Sequence, residues 1–476
     1  MTGGFELRGK HVLVIGLART GIATARFCAE HGATVTAMDA HAENELGADV
    51  LSLREEGVKL ELGGQPESSL LKQDLVIPSP GVPADAPLLQ AARARGITVW
   101  SEIELADRFL DGRLIGITGS NGKTTTTSLL HHILKVAGFS TMVAGNIGTP
   151  LISRVTLTSE GTTTVAELSS FQLELVETFH PDIAVLLNLA PDHLDRHKTM
   201  DAYAAAKARI FEKQTESDFA VLNEDDPASA RLAPKRPQTY WFSRKQRVLQ
   251  GAYLRGDEII FCTPRQEEVL FKREEISLPG AHNLENVLAA VTAARLEGAS
   301  MAAISEGVHT FSGVEHRLEF VAEIAGVRYY NDSKATNVDA ALKALEAFPG
   351  RILVILGGKD KDSDYSVLQH ALRERSVLAL LIGAAAEKIE QQIAGSVAME
   401  RAGTMERAVE IAGQAARRGD VVLLAPACAS FDQFENYEHR GRVFKELVRQ
   451  RDQQSSSAAP GGPEADGKVN KRAETA

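Results

Sequence analysis

The sequence predicts an α/β protein with three domains, because short apolar strands and amphipathic helices alternate in three separate stretches. The first stretch opens with the apolar run His11–Ile15, a glycine turn and a helix that ends near Gly32. The second contains the apolar run 114–118 before another glycine turn, and the third contains such runs at 352–356 and Val421–Leu424. Strands that are separated by helical patterns at this spacing predict largely parallel sheets.

The length of the chain and its changes in composition predict the domain boundaries. A chain of 476 residues exceeds what one ordinary hydrophobic core supports. We expect a first domain at 1–103, a central domain at 104–313 and a third domain at 314–451. The remainder, 452–476, is rich in Ser, Ala, Pro, Gly and charge without periodicity, which predicts a disordered tail.

Composition and charge exclude several classes of protein. The net charge of -11 argues against a nucleic-acid partner, which needs a basic surface. The three cysteines are far apart and form no CxxC pair, which argues against a structural zinc site and a disulfide framework. Residues 1–10 lack the apolar core of a signal peptide, and the longest apolar run, near 377–386, is about half of a membrane span. We therefore expect a cytoplasmic protein without membrane insertion. We also expect it to be monomeric.

The strongest functional signal is the glycine turn that follows the run 114–118. A strand, a glycine turn and a helix form a cradle in which backbone N–H groups and the helix N-terminus attract phosphate. Lys123 supplies a cation and Thr124 a hydroxyl for Mg2+, so the loop predicts a nucleoside triphosphate site. The loop departs from the standard P-loop, because Ile117 stands where that motif has its first glycine. Its residues are Gly119, Ser120, Asn121, Gly122, Lys123, Thr124 and Thr125.

The start of the first domain has the order of a nucleotide-binding βαβ unit. After the turn at 16–21, a second strand at 34–38 ends at Asp39, where a carboxylate meets a sugar hydroxyl in such units. Ala18 occupies the place of the second glycine of the dinucleotide motif. A dinucleotide dehydrogenase is therefore one option, and a site for a single nucleotide fits the sequence at least as well.

Three further side chains of the central domain have residue types that a nucleotide site uses. Glu167 ends a predicted strand, where a carboxylate can hold Mg2+, and an acid that caps a helix is the alternative. His193 follows another strand beside Asp192 and is a candidate ligand for a divalent cation, although Mg2+ normally prefers oxygen. Lys207 lies in a helical pattern that by itself predicts an exposed lysine.

In the third domain, three segments that follow strands carry small polar or charged side chains. The segment 331–337 includes Lys334 and opens a helix, which suits an anionic ligand. The lysines of 357–362 either bind an anion or lie on a solvated turn. Cys428, in the segment 426–434, has no His or Asn partner in the local pattern, which favours a small buried residue over a nucleophile.

Together these motifs resemble those of the Mur ligases of peptidoglycan synthesis, and among them the branch that adds D-glutamate. The resemblance covers roughly residues 8 to 450 and includes the order and separation of the motifs. It rests on the segments 119–125, 145–148, 167–173 and 192–196, on the helix with Lys207, and on 331–337 and 427–434 of the third domain. It implies an N-terminal Rossmann-like domain that binds UDP, a central P-loop-type domain that binds ATP and a C-terminal Rossmann-like domain that binds the amino acid.

The resemblance also implies roles for individual residues. Lys123, His193 and Lys207 would be catalytic, and two Mg2+ ions would be held by Thr124, Glu167, His193 and Lys207, the last as a carbamate. Besides the loop 119–125, ATP would be bound by Asn283, Asn286, Arg317 and Asp332. The UDP-linked substrate would be bound by Arg19, Thr20, Asp39, Ser79 and Asn146, and D-glutamate by Thr336, Lys361, Ser430, Phe431 and Tyr437. Two of these positions depart from the family pattern, since Arg19 replaces a smaller apolar residue and Tyr437 replaces a phenylalanine.

A Mur ligase of this branch would add D-glutamate to UDP-N-acetylmuramoyl-L-alanine through an acyl phosphate, with release of ADP and phosphate. The alternative is another ligase of the superfamily, such as a different Mur ligase or a folylpolyglutamate synthase, but the latter needs no UDP-binding domain before residue 104. A nucleotide-regulated binding protein without catalysis would have no use for Glu167, His193 and Lys207 together. Release of ADP only in the presence of substrate would separate these hypotheses.

Overall fold

The computed structural model describes the backbone of residues 5–457 and confirms the predicted α/β class. Within these residues the chain forms two compact units, with the boundary between Ser312 and Gly313. The first unit contains two sheets and the second unit contains one. The three sheets correspond to the three predicted α/β stretches.

The first sheet has five parallel strands in the order β3-β2-β1-β4-β5. The chain runs from β1 to β2 on one side and then returns to β4 on the other side, so a crevice forms at the carboxyl ends of β1 and β4. The strands are β1 (His11–Ile15), β2 (Thr34–Asp39), β3 (Lys59–Leu62), β4 (Leu75–Pro78) and β5 (Thr98–Val99). The helices are α1 (Arg19–Glu30), α2 (Ala48–Leu51), α3 (Pro87–Ala94) and α4 (Glu102–Asp107).

The second sheet has nine strands in the order β14-β13-β12-β11-β10-β9-β6-β8-β7. It is parallel from β7 to β12 and ends in the antiparallel strands β13 and β14. Its strands are β6 (Arg113–Thr118), β7 (Ser140–Gly145), β8 (Thr162–Glu167), β9 (Ile183–Leu186), β10 (Phe219–Asn223), β11 (Gln238–Ser243), β12 (Gly251–Arg255), β13 (Glu258–Cys262) and β14 (Glu267–Lys272). Its helices are α5 (Lys123–Val136), α6 (Ser170–Leu173), α7 (Leu194–His197), α8 (Met200–Ala208), α9 (Pro227–Ala230), α10 (Ala281–Glu297) and α11 (Met301–Thr310).

The two sheets of the first unit share one hydrophobic core. The predicted boundary at 103/104 falls inside α4, where residues 102–106 are all buried. The same cluster of buried side chains contains Val12 of β1, Ile103 of α4 and Leu186 of β9. A continuous apolar core of this kind gives the two sheets a defined relative position.

The second unit contains a six-stranded sheet in the order β15-β16-β20-β17-β18-β19, parallel except for the β15–β16 pair. Two layers of helices cover buried clusters on its faces. The strands are β15 (Glu319–Ile324), β16 (Val327–Asn331), β17 (Ile352–Gly357), β18 (Ser376–Ile382), β19 (Met399–Gly403) and β20 (Val421–Leu424). The helices are α12 (Val338–Glu346), α13 (Gln369–Arg375), α14 (Ala386–Gln392), α15 (Met405–Ala415) and α16 (Tyr437–Ser457).

The predicted start of the disordered tail is wrong. Helix α16 continues past Asp452 and ends at Ser457. The run Gln453–Ser457 contains no glycine or proline, so nothing in the backbone prevents the helix from continuing. The rest of the predicted tail, 458–476, lies outside the described residues.

Candidate active site

The phosphate loop lies between β6 and α5, as predicted. The Ser120 backbone N–H donates to the Asn188 carbonyl at 3.0 Å, and the Asn121 N–H donates to Asn188 Oδ1 at 2.8 Å. The Lys123 side chain reaches back over the loop, and its Nζ donates to the carbonyls of Gly119 at 2.8 Å and Ser120 at 3.0 Å. The ammonium group is therefore held against the loop beside the N-terminus of α5, and a helix N-terminus stabilises a bound phosphate.

Gly122 is required by close packing at the start of α5. Its φ is +85°, and a Cβ at this position would lie 2.1 Å from Asn286 Oδ1. Asn286, on α10, accepts from the Thr126 hydroxyl at 3.4 Å and donates to Asn283 Oδ1 at 3.1 Å. Both asparagines are buried and support the loop from behind. Their contact with adenine stays a prediction.

The carboxyl ends of β6, β7 and β8 bring three polar side chains together. The Thr124 hydroxyl donates to Glu167 Oε2 at 2.8 Å, and Asn146 Nδ2 donates to Glu167 Oε1 at 2.7 Å. Glu167 is 3% exposed. A hydroxyl and a carboxylate at the mouth of a phosphate loop are the oxygen donors that Mg2+ prefers, so this pair fits a magnesium ion bound together with a nucleotide.

Lys207 is buried, and the expectation of an exposed helical lysine is wrong. The residue is 1% exposed, and its Nζ donates to the Gly119 carbonyl at 2.9 Å and to Thr118 Oγ1 at 3.4 Å. Burial, reinforced by repulsion from Lys123, lowers the pKa of its amine from 10.5 to about 7, and Asp192 and Glu167 act in the opposite direction. Burial of an ammonium group costs free energy of folding. A buried lysine at a phosphate loop therefore indicates a functional role.

His193 lies on a partly exposed turn before α7. Its φ is +52°, and its Nε2 is 3.5 Å from Asp192 Oδ2. The ring centroid is 4.8 Å from that of Phe171. Among the described residues, no group of three or more His, Cys, Asp or Glu side chains is arranged to hold a metal ion. The role of His193 as a metal ligand, and the second Mg2+, stay predictions.

Two of the predicted UDP-site residues, Asp39 and Ser79, lie at the crevice of the first sheet. Asp39 Oδ2 accepts from the Leu17 N–H at 2.7 Å, and its Oδ1 accepts from the His41 N–H at 3.0 Å. Burial raises the pKa of Asp39, but these hydrogen bonds outweigh burial and lower it overall. Ser79 Oγ donates to the Gly16 carbonyl at 2.6 Å, which ties the loops after β1 and β4 together.

Two other predicted UDP-site residues, Arg19 and Thr20, begin α1. Arg19 is exposed, and its Nη1 donates to the Gly148 carbonyl of the loop after β7 at 2.7 Å. The Thr20 carbonyl accepts from the Thr24 hydroxyl within the helix at 2.8 Å. Arg19 therefore links the first sheet to the loop of the second sheet that contains Asn146.

In the second unit, Asp332 is the one acid among the residues predicted to bind ATP. It is 9% exposed, and its Oδ1 accepts from the Leu318 N–H at 3.2 Å. Burial raises its pKa to about 7, whereas the Leu318 N–H and the Arg317 charge act to lower it. Arg317 precedes Leu318 in the chain and is partly buried.

Four of the residues predicted to bind D-glutamate lie on loops that follow strands of the third sheet, and the fifth, Tyr437, begins α16. Ser430 is buried and Phe431 is 65% exposed, while Lys361 is exposed on the loop after β17. Thr336 is partly buried on the loop after β16. The Tyr437 ring lies 3.9 Å from Lys334 Nζ. Their contact with an amino acid stays a prediction.

Three residues to which the sequence analysis assigned no role connect separate elements within each unit. Tyr203 lies one helical turn before Lys207; its hydroxyl is 3.1 Å from Ser120 Oγ and its ring centroid is 4.6 Å from Lys207 Nζ. Arg440 is fully buried and donates to the Ser333 carbonyl at 2.9 Å and to the Cys428 carbonyl at 3.1 Å. The i, i+4 spacing within α8 was the only local signal for Tyr203. The third residue, Arg196, bridges the two sheets of the first unit.

Comparison with known proteins identifies the family. Residues 10–101 match the model of the Mur ligase MurD-like N-terminal domain, 117–294 that of the Mur ligase middle domain, and 316–428 that of the Mur ligase glutamate ligase domain. The UDP-N-acetylmuramoylalanine–D-glutamate ligases of Koribacter versatilis and Acidobacterium capsulatum are each 52% identical to this chain, over 445 and 446 residues. These alignments cover 93% of this chain and 98% and 97% of the two relatives. The chain belongs to the Mur ligase family.

Solved structures of other Mur ligases share the fold. The UDP-N-acetylmuramate–alanine ligase MurC of Thermotoga maritima has a TM-score of 0.56 at 19% identity, over 93% of this chain and 99% of that one. MurF of the same organism, solved in complex with ADP, has a TM-score of 0.56 at 19% identity, over 93% and 96% of the two chains. The predictions of family, fold and ligase class are thus confirmed, and this Mur ligase is an ATP-dependent enzyme of peptidoglycan precursor synthesis.

In the part of the chain that the structure describes, no helix is both long and apolar enough to cross a membrane.

Proposed function

We propose that the protein adds D-glutamate to UDP-N-acetylmuramoyl-L-alanine and converts ATP to ADP and phosphate. The observation that carries the proposal is the site where Glu167 contacts Thr124 of the phosphate loop and Lys207 contacts Gly119 of it, in a chain 52% identical to ligases with that name. We further propose that it acts in the cytoplasm, where ATP is available, and that it is a monomer.

The chemical problem is that a carboxylate does not react with an amine at neutral pH. In the proposed route, an oxygen of the L-alanyl carboxylate attacks the γ-phosphorus of ATP, and the bond from that phosphorus to ADP breaks. The amine of D-glutamate then attacks the acyl carbon of the acyl phosphate, the C–O bond breaks, and the amine loses a proton. The released phosphate carries one oxygen of the original carboxylate.

The first step brings two anions together, so the site must offset their repulsion. Lys123 and the N-terminus of α5 place positive charge where the transferred phosphoryl group would lie. Thr124 and Glu167 would hold Mg2+, which when bound would neutralise phosphate charge and polarise the phosphorus. Much of the remaining rate enhancement would come from positioning, as in other phosphoryl transfers.

Lys207 would contribute as a carbamate. Loss of a proton from the ammonium gives the neutral amine; addition of CO2 then forms an N–C bond and releases a second proton, so that a cation becomes an anionic oxygen donor. The lowered pKa of the Lys207 amine supports this step, because a substantial fraction of the amine is neutral near pH 7. Such a group would add an oxygen ligand beside Glu167, which suits Mg2+ better than an amine does.

The remaining parts of the substrates would be held at the other two sheets. The crevice with Asp39 and Ser79 would bind the UDP portion, and Arg19 and Asn146 would contact it from its two sides. The loops with Ser430 and Thr336 would bind D-glutamate in the second unit. Exclusion of water from the site would protect the acyl phosphate, which water otherwise hydrolyses.

Two measurements test the proposed function. The purified protein is expected to release phosphate from ATP only when UDP-N-acetylmuramoyl-L-alanine and D-glutamate are both present; equal activity with L-alanine or diaminopimelate instead of D-glutamate would refute the substrate assignment. With 18O in the substrate carboxylate, label is expected in the released phosphate. Unlabelled phosphate would rule out the acyl phosphate route.

A further inference from the structure

We infer that Arg196 is a positioning residue that holds the UDP-substrate loop of the first sheet at a fixed distance from the phosphate-transfer site of the second sheet. The inference deepens the proposed function and rests on it. Only a reaction that joins a group held by the first sheet to a group held by the second needs such a distance to be fixed.

The guanidinium of Arg196 crosses from the second sheet's domain to the first. Its Nη1 donates to the Pro80 carbonyl at 2.6 Å, and its Nη2 donates to the Val82 carbonyl at 3.1 Å. Both carbonyls belong to the loop after β4. That loop also packs on the turn after β1, because a Cβ on Gly16 would lie 3.2 Å from Ser79 Cβ and 3.4 Å from Val82 Cγ2. Arg196 therefore holds the wall of the crevice predicted to bind UDP.

The same guanidinium is anchored on the segment that follows Glu167. Its Nη2 also donates to Glu174 Oε2 at 2.5 Å, and its carbon Cζ lies 4.1 Å from the centroid of the Phe171 ring. Phe171 in turn contacts His193, and the Arg196 backbone N–H donates to the His193 carbonyl at 3.1 Å. One residue therefore links the turn with His193, through its backbone N–H, to the loop with Pro80, through its guanidinium.

The chemistry of the contact favours a rigid link. The side chains of Arg196 and Glu174 are only 13% and 15% exposed, so solvent screens their ion pair weakly. A planar guanidinium can donate to two carbonyls and a carboxylate while stacking on an aromatic ring, whereas a lysine ammonium presents a single point charge. Bonds of this charge-assisted kind are about twice as strong as neutral ones.

Such a link matters for the first chemical step. The L-alanyl carboxylate is attached to a UDP group held by the first sheet, whereas the γ-phosphate is held by the second. Reacting atoms must approach to about 3–3.5 Å, and a misplacement of about 1 Å can lower the rate about 10²-fold. Loss of the link should therefore lower the rate of acyl phosphate formation more than it weakens the binding of either substrate.

The test compares Arg196→Lys and Arg196→Ala with Arg209→Ala as the matched control. Arg209 donates to the Glu174 carbonyl at 2.9 Å and to the Val176 carbonyl, so it stabilises the same segment without reaching the first sheet. With D-glutamate omitted, the acyl phosphate is trapped by borohydride reduction and its rate of formation is measured. The dissociation constants of ATP and of UDP-N-acetylmuramoyl-L-alanine are measured separately by calorimetry.

We expect both Arg196 variants to form acyl phosphate about 10²-fold more slowly, with each dissociation constant within about threefold of the unmodified protein. The Arg209 variant should keep the original rate. Equal rates in the Arg196 variants and the unmodified protein, an equal loss in Arg209→Ala, or a loss seen wholly in substrate binding would overturn the inference. If Arg196→Ala does not fold, Arg196→Lys decides, because it keeps the charge and most of the side chain. Failure of the unmodified protein to form any acyl phosphate would instead refute the proposed function.

Discussion

Replacing Lys207 with methionine is expected to stabilise the folded protein and to abolish ligase activity. The pKa of this buried amine falls from 10.5 to about 7, and one pKa unit corresponds to about 1.36 kcal/mol, so holding the amine in the fold costs about 4 kcal/mol at pH 7. Methionine has a similar length and no charge. It loses the hydrogen bond to the Gly119 carbonyl, worth about 1 kcal/mol, which leaves a net gain of about 3 kcal/mol in the free energy of unfolding.

The pH dependence of that gain has a definite sign. Between the folded pKa of about 7 and the unfolded value of 10.5, the unfolded chain binds more protons at Lys207 than the folded chain does. The contribution of Lys207 to stability therefore rises with pH in this window, and the cost of the buried amine falls to about 2 kcal/mol at pH 9. The advantage of the methionine variant over the unmodified protein should shrink accordingly, to about 1 kcal/mol.

The assay is urea unfolding at pH 7 and pH 9 in buffer depleted of CO2, so that the amine is not carbamylated. Lys213→Met is the control, because Lys213 is exposed and its replacement should change stability by no more than about 0.5 kcal/mol. Lower stability of Lys207→Met at pH 7, a gap that widens with pH, or retained ligase activity would each refute the reasoning.

Three other substitutions probe the phosphate loop, the metal ligands and the UDP crevice. Gly122→Ala would place a Cβ 2.1 Å from Asn286 Oδ1 and is expected to weaken ATP binding at least tenfold by calorimetry, about 1.4 kcal/mol, whereas Gly138→Ala, with the same φ of +85° and open space, should leave it unchanged. Equal effects of the two alanines would contradict the packing argument. Glu167→Gln keeps the shape of the side chain but removes its charge, so kcat should fall about 10²-fold and the Mg2+ concentration for half-maximal rate should rise; an unchanged Mg2+ titration would exclude Glu167 as a ligand. Asp39→Ala removes the acceptor of the Leu17 and His41 N–H groups and should raise KM for the UDP-linked substrate about tenfold without changing KM for ATP, and steady-state kinetics that show the reverse would remove Asp39 from the UDP site.

Local periodicity was enough to predict the strand ends where the site forms. Apolar runs such as 114–118 read as buried parallel strands, and the glycine turns that follow them end those strands at their carboxyl edge. Because ligands of open α/β sheets bind at that edge, the loops at 119–125 and after Glu167 could be predicted as functional from short sequence patterns alone. The family motifs added the roles that patterns do not contain.

Burial and contacts across elements depended on the tertiary structure. The periodicity of α8 predicts an exposed Lys207, yet the side chain is buried because the helix packs over the loop that contains Gly119. The support of Gly122 by Asn286 spans more than 150 residues, which no local pattern encodes.

The sequence by itself therefore determined the fold class, the family and the residues at the strand ends, since these follow from short-range periodicity and motif order. The tertiary structure decided which of those side chains are desolvated and which loops are held together. It placed Lys207 against the phosphate loop and Arg196 across the two sheets. The physical reason is that burial and hydrogen bonding depend on the neighbours that a residue acquires from distant parts of the chain.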